Sequence, residues 1–276
     1  MIYILNLFKK HKWSLLIIYF YMLIAHSIFL CEPYIIGKMI DGLIHKNYNW
    51  LYIFIGIEVF SNFFIYRRMV FDTKVYTTIY NSLIKEYLEN DKTSDDSSKI
   101  ARTEMAQNII NFMENDIQYI IMSLVSIIGS LFFILFEDIT TGIVIFFAFI
   151  PISFVVYVLY KKISQSIRLS NSQYEQKINI LTKGDDKQID DYLHRRRKLV
   201  IFGSTLQAKN WVSMNMIKGS FLIICILLFT SNKVNLTQGQ AIAMYAYINQ
   251  FLISLMSIPI SVEIYSRIKD IIKRLS

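Results

Sequence analysis

Residues 117–160 read IQYIIMSLVSIIGSLFFILFEDITTGIVIFFAFIPISFVVYVLY. Apart from Glu137 and Asp138, the stretch carries no formal charge. That acidic pair divides it into two apolar runs, 117–136 and 139–160, each near the roughly 20 residues an α-helix needs to cross a bilayer. Lipid offers backbone polar groups no partner, so runs of this kind are read as spanning helices. Four more runs qualify despite scattered polar residues: 13–30, 51–66, 217–229 and 236–262. The run 217–229 has a short apolar core, and its helix must enlist residues 211–216 as well. The reading is an all-α membrane protein with six long transmembrane helices, embedded in a lipid bilayer. Composition agrees, since the chain is 54% hydrophobic and only 18% charged, against about a quarter charged in soluble proteins. The first run is too long for a signal peptide and no small-residue cleavage site follows it, so it is expected to stay as an anchor.

A net charge of +8 invites a nucleic-acid reading, but the placement of the basic residues excludes it. With six spans, Lys38, Lys46 and Lys233 fall in the outer loops. Essentially all other Lys and Arg precede the first span, follow the sixth, or lie between spans 2 and 3 or spans 4 and 5. This is the positive-inside pattern, and it predicts a multi-pass protein of the cytoplasmic membrane with both termini in the cytoplasm. Cys31 and Cys225 lie in apolar surroundings without ligand spacing, which favours packed thiols over a disulfide or a metal site.

Outward from the opening stretch, the polar loops keep a helical beat. Val75, Ile79, Leu83 and Tyr87 recur at i+4, and after a polar break at 90–98 the beat resumes with Met105, Ile109, Phe112 and Met113. In the second loop, Ile163, Ile167, Tyr174, Ile178 and Leu181 mark a stripe. It breaks at Lys183-Gly184-Asp185-Asp186-Lys187 and resumes through Tyr192, Leu193, Leu199 and Ile201. Each adjoining span therefore continues about 20 residues beyond the membrane. A helix of about 40 residues measures roughly 60 Å, twice the hydrocarbon thickness. Two cytoplasmic helical extensions follow, each with a short acidic tip. Pro33, Pro151 and Pro259 lie within or beside spans and mark either flexing points or local packing irregularities.

Long helices descending to two tips resemble the six-helix membrane domain of type 1 ABC exporters. Residues 33–42 (PYIIGKMIDG) resemble the end of the first exporter helix. Ser98-Lys99-Ile100-Ala101-Arg102, with Asn115-Asp116, is similar to the helix rising from the first tip. Thr237-Gln238-Gly239-Gln240-Ala241, continuing through Pro259 to Ile272, resembles the sixth helix. The resemblance implies a single membrane domain over 1–276 that pairs with a second copy or a related half-transporter around a central cavity. It implies tips at 90–97 and 183–191, carrying Asp91, Asp95, Asp96, Asp185, Asp186, Asp190 and Asp191, that couple to a separate ABC ATPase subunit. The sequence stops at Ser276, about where the ATP-binding half of such a transporter would begin. No GxxxxGK[ST] loop, exporter signature or acidic Mg-binding strand is present. The chain is therefore expected to be no enzyme and to bind no cofactor itself, with ATP and Mg held by the partner.

Ionisable groups in spans are costly and usually face a cavity or a partner. His26, Glu32, Glu58 and Glu263, with Asn249 and Gln250, are the candidate cavity residues. A polar cavity with carboxylates would suit a cationic or amphipathic substrate; the alternative is that the three acids reach solvent near the membrane faces. His26 and Glu32 are six residues apart, on different faces of an ideal helix. His194-Arg195-Arg196-Arg197-Lys198 is the densest basic cluster, fit for anionic lipid or an acidic partner, or simply topological charge on a solvated face. The acidic tips admit electrostatic docking to a partner or plain solvation. No HExxH, GxSxG, zinc-spaced Cys/His cluster or dinucleotide fingerprint occurs, so no catalytic or metal residues are assigned. Three function classes stay open: an ATP-driven exporter subunit, a non-transporting scaffold or regulator on the same fold, and an ATP-independent carrier titrating Glu58 or His26.

Overall fold

The computed structural model describes residues 10–90, 107–108, 110–183 and 185–265. Apolar sequence becomes helix throughout these residues. In chain order the helices are α1 (Lys12–Ile44), α2 (Asn49–Asn90), α3 (Ile117–Glu137), α4 (Ile139–Phe146), α5 (Phe149–Lys183), α6 (Asp186–Asn232) and α7 (Gln238–Leu255). A π-helical turn, Phe112–Asp116, leads into α3. Six helical stretches are long and apolar enough to cross a membrane, as the sequence predicts. The short core at 217–229 is absorbed into the unbroken 47 residues of α6. At 1.5 Å per residue, α2 with 42 residues and α6 with 47 run about 60–70 Å, well past a bilayer.

The prolines divide into two kinds. Pro33 sits inside the continuous helix α1. Pro151 and Pro259 instead follow breaks, the first at Phe147-Ala148 and the second at Met256. Proline has no N–H to donate and its ring crowds the carbonyl four residues back, but it is tolerated in a first helical turn. Each break puts the proline in the first turn of the helix that resumes, so the fourth span is α4 plus α5 and the sixth bends after Leu255. Expected as single runs, both spans are jointed.

Polar side chains set the helix starts. Asp138 caps α4 by accepting from the Thr141 N–H at 2.8 Å, and Asp185 caps α6 by accepting from Gln188 N–H at 2.7 Å. Thr237 and Gln240 form a reciprocal capping box at the start of α7. The helix α7 lies at the centre, packing against α1, α3 and α6, while α5 and α6 form a hairpin and α2 packs chiefly on α1. Phe229, Tyr247, Ile248, Phe251 and Leu255 belong to the main core around α7. A second cluster joins Leu15 and Ile18 of α1 to Tyr76, Ile79 and Leu83 of α2 and to Met113. It buries the Ile79–Leu83 stripe anticipated from the i+4 beat. Cys225 is buried as expected; Cys31, expected to be packed, is exposed along a groove between α1 and α2.

Candidate functional site

Three helices build a cavity of about 540 Å³ in which polar side chains are set into largely apolar walls. From α1 come His26 and Glu32, from α7 Asn249 and Gln250, and from α3 Tyr119, Ser123 and Ser126. On α3 these residues, with Ser130, recur at spacings of four, three and four, which lines up small polar groups along one helical face. His26 Nε2 and Ser126 Oγ share a hydrogen bond of 2.6 Å that ties α1 to α3, and the His26 ring stacks on Phe29 at 5.6 Å. His26 thus both bonds across to α3 and lines the cavity. Gln250 lines the same space, and neither end of its amide has a hydrogen-bond partner in the protein. Both ends of the amide are buried, so its donors and acceptor lone pairs stay unsatisfied inside the packed wall. Phe29, Ile36, Met122, Ile242 and Ile253 complete apolar walls around these groups. The arrangement offers hydrogen bonds, one carboxylate and apolar surface, which suits an amphipathic molecule.

Four of the six candidate cavity residues thus come together. His26 and Glu32, though six residues apart, both line the cavity because it wraps around that side of α1. Glu58 stands apart on α2, where the Asn62 amide donates to its carbonyl at 2.8 Å and its carboxylate at 3.3 Å. Glu263 is half-buried on the helical stretch that follows Met256 and does not line the cavity.

At the first tip, Asp91, Asp95 and Asp96 lie outside the described residues. At the second, Asp185, Asp186, Asp190 and Asp191 are all exposed. Asp185 has a structural duty as the α6 cap, and Asp191 meets Arg195 at 3.8 Å one turn on. Arg196, Arg197 and Lys198 are exposed along α6. Among the described residues, no group of three or more His, Cys, Asp or Glu side chains is placed to hold a metal ion.

Sequence reasoning missed two polar features. The first is the serine stripe itself, whose spacing could have revealed it. The second lies where α1, α2 and the π-helical turn meet. There Asp72, 6% exposed, faces Arg68 at 3.5 Å and accepts from the Gln118 amide at 3.5 Å, while the Tyr76 hydroxyl donates to the Met113 carbonyl at 3.1 Å. Nothing in the local sequence separates this buried acid from the solvated ones of the loop.

Two joints at one end of the helices close the bundle. Asp41 of α1 accepts from the Gly239 N–H at 2.8 Å and from the Thr237 hydroxyl at 2.7 Å, while Gly37 and Gly239 meet backbone to backbone. Asn232 donates to Asp138 at 3.3 Å and Lys233 to Glu137 at 3.4 Å, fastening α6 to the turn between α3 and α4.

Residues 4–239 match the protein family described as ABC transporter transmembrane region. No curated protein matches the chain.

Proposed function

The chain belongs to the ABC transporter transmembrane region family, and from that premise we propose that it is the membrane-spanning subunit of an ABC-type exporter. The observation carrying this reading is the polar cavity among α1, α3 and α7, to which His26, Glu32, Asn249 and Gln250 all contribute. Buried polarity in a membrane bundle is expensive and marks a substrate pathway more often than an architectural need. Two such domains, either two copies or one copy with a related half, pair to form the pathway. A separate ATPase polypeptide holds ATP and Mg and grips the cytoplasmic tips, the second of which presents exposed Asp186, Asp190 and Asp191. The long helices α2, α5 and α6 carry its motion to the cavity. Both termini lie in the cytoplasm, and the host membrane is the cytoplasmic one. An amphipathic or cationic substrate fits the lining, with Glu32 as its counter-charge.

Reconstitution tests the reading directly. Inverted vesicles containing the chain with its cognate ATPase should take up substrate only with ATP. Gradient-driven flux without ATP would replace it with an ion-coupled carrier, and absence of flux in both conditions with a scaffold role.

A further inference from the structure

Outward of the polar cavity, the same three helices enclose a second, smaller cavity of about 260 Å³. A packed layer lies between the two. In it Leu30 of α1 presses on Gly129 of α3, and the Tyr247 hydroxyl of α7 donates to the Leu30 carbonyl at 3.1 Å. The outer cavity is lined by aromatic rings and three charged side chains, Lys38, Asp41 and Glu137. Phe133 and Tyr247 are stacked on each other at 4.7 Å, which uses up those faces. Phe132 and Phe136 stack on each other at 6.4 Å and Tyr34 meets the Trp50 ring edge-on at 6.3 Å, but all three keep exposed surface.

The charges differ in their commitments. Asp41 already accepts from Gly239 and Thr237, and Glu137 already accepts from Lys233. Lys38 pairs with none of the described carboxylates. Its ammonium stands 5.6 Å from the centre of the Tyr34 ring. A purely anionic ligand would find Lys38 but sit beside two carboxylates. A purely cationic one would find the rings but meet Lys38. A molecule carrying both charges a few bonds apart gives every group a counterpart, because aromatic faces attract ammonium groups. The site lies at the ends of α1 and α3, beside the turn at Glu137 and Asp138, where the apolar runs give way to charged residues.

We propose that this outer cavity binds the zwitterionic head group of an amphiphile, its phosphate on Lys38 and its ammonium against Phe132 and Phe136. The inference does not require the chain to transport anything, and binding can be measured without ATP or a partner.

Native mass spectrometry of the full chain in detergent, titrated with phosphatidylethanolamine, phosphatidylcholine and phosphatidylglycerol, tests it. The two zwitterionic lipids should bind at least fivefold more tightly than the anionic one. Lys38→Gln should remove that preference, Lys38→Arg should keep it, and the double variant Phe132→Leu/Phe136→Leu should weaken zwitterionic binding at least fivefold. Only variants that keep the parent's thermal midpoint and elution volume are compared, and the aromatic pair supplies a second test if Lys38→Gln does not fold. Soluble phosphoethanolamine that competes with the lipid supports the site with the head group alone as ligand, and failure to compete supports it with the acyl chains required. Equal binding of phosphatidylglycerol, or zwitterionic binding unchanged in both Lys38→Gln and the aromatic pair, would overturn the proposal and leave only annular lipid.

Discussion

At Gly37 and Gly239 the outer ends of α1 and α7 touch through their backbones. A Cβ on Gly37 would stand 2.6 Å from the Gly239 carbonyl oxygen, and one on Gly239 would run into the Gly37 carbonyl. Neither obstacle is a flexible side chain, so Gly239→Ala must push the helices apart. We expect a loss of about 1–3 kcal/mol, the usual cost of overpacking, seen as a lower thermal midpoint in detergent. The same substitution at Gly56, which has nothing within 4 Å, should leave the midpoint unchanged or raised. Asp138 yields a pH prediction. Burial would raise its pKa, but hydrogen bonds from Thr141 and Asn232 and the charge of Lys233 outweigh burial and hold the carboxyl below its ordinary value. A lowered folded pKa means that Asp138 contributes stability above the unfolded value near 3.8 and loses it as pH falls through the folded one. Asp138→Asn should therefore be less stable than the parent at pH 7, with the gap closing toward pH 3. A gap that stays constant across that range would refute the assignment.

At the level of the helices, α2 shows how one element answers to two environments. In its C-terminal half Ile79 is fully buried against α1 and the start of the third span, whereas in its N-terminal half Val59 is 67% exposed. Ile79→Ala should cost about 2–5 kcal/mol, while Val59→Ala should change the protomer's stability by less than about 0.5 kcal/mol. Urea or thermal unfolding of purified protomer would separate the two. The C-terminus of α1 provides a case of the opposite sign. Asn47 donates to the Gly42 carbonyl at 2.8 Å and Lys46 to the Leu43 carbonyl at 3.1 Å, the bonds of a Schellman motif. The motif places Lys46 at φ 58°, a left-handed conformation that costs a residue with a Cβ about 1 kcal/mol or more. Lys46→Gly should raise stability by about 0.5–1 kcal/mol.

For the whole molecule, the arrangement predicts sidedness. The turns at 45–48, 137–138 and 233–237 share one end, and Asp185 with the start of α6 lies at the other. In a background lacking Cys31 and Cys225, Val234→Cys, 96% exposed in the parent, should react with an impermeant maleimide added outside intact cells. Asp186→Cys should react only after the membrane is opened. Labelling of Asp186→Cys from outside would invert the topology and with it the placement of any ATPase.

The chain alone yields the number of spans, the long helical extensions and an expected sidedness. Each rests on local quantities, namely apolar run length, the location of Lys and Arg, and i+4 periodicity, none of which needs a neighbour. His26, Glu32, Asn249 and Gln250 could be singled out the same way, because an ionisable or amide group in a span is conspicuous wherever it lies. That these four share a cavity while Glu58 and Glu263 do not was beyond local reading, since it depends on how α1, α3 and α7 are rotated against one another. The breaks before Pro151 and Pro259 were likewise undetermined, because Pro33 shows that a membrane helix can also run through a proline. Gly239 lies some 200 positions from Gly37 and Asp41 in sequence, and only the folded chain makes them one joint. Pairing across such distances is set by packing, and packing is a property of the assembled helices.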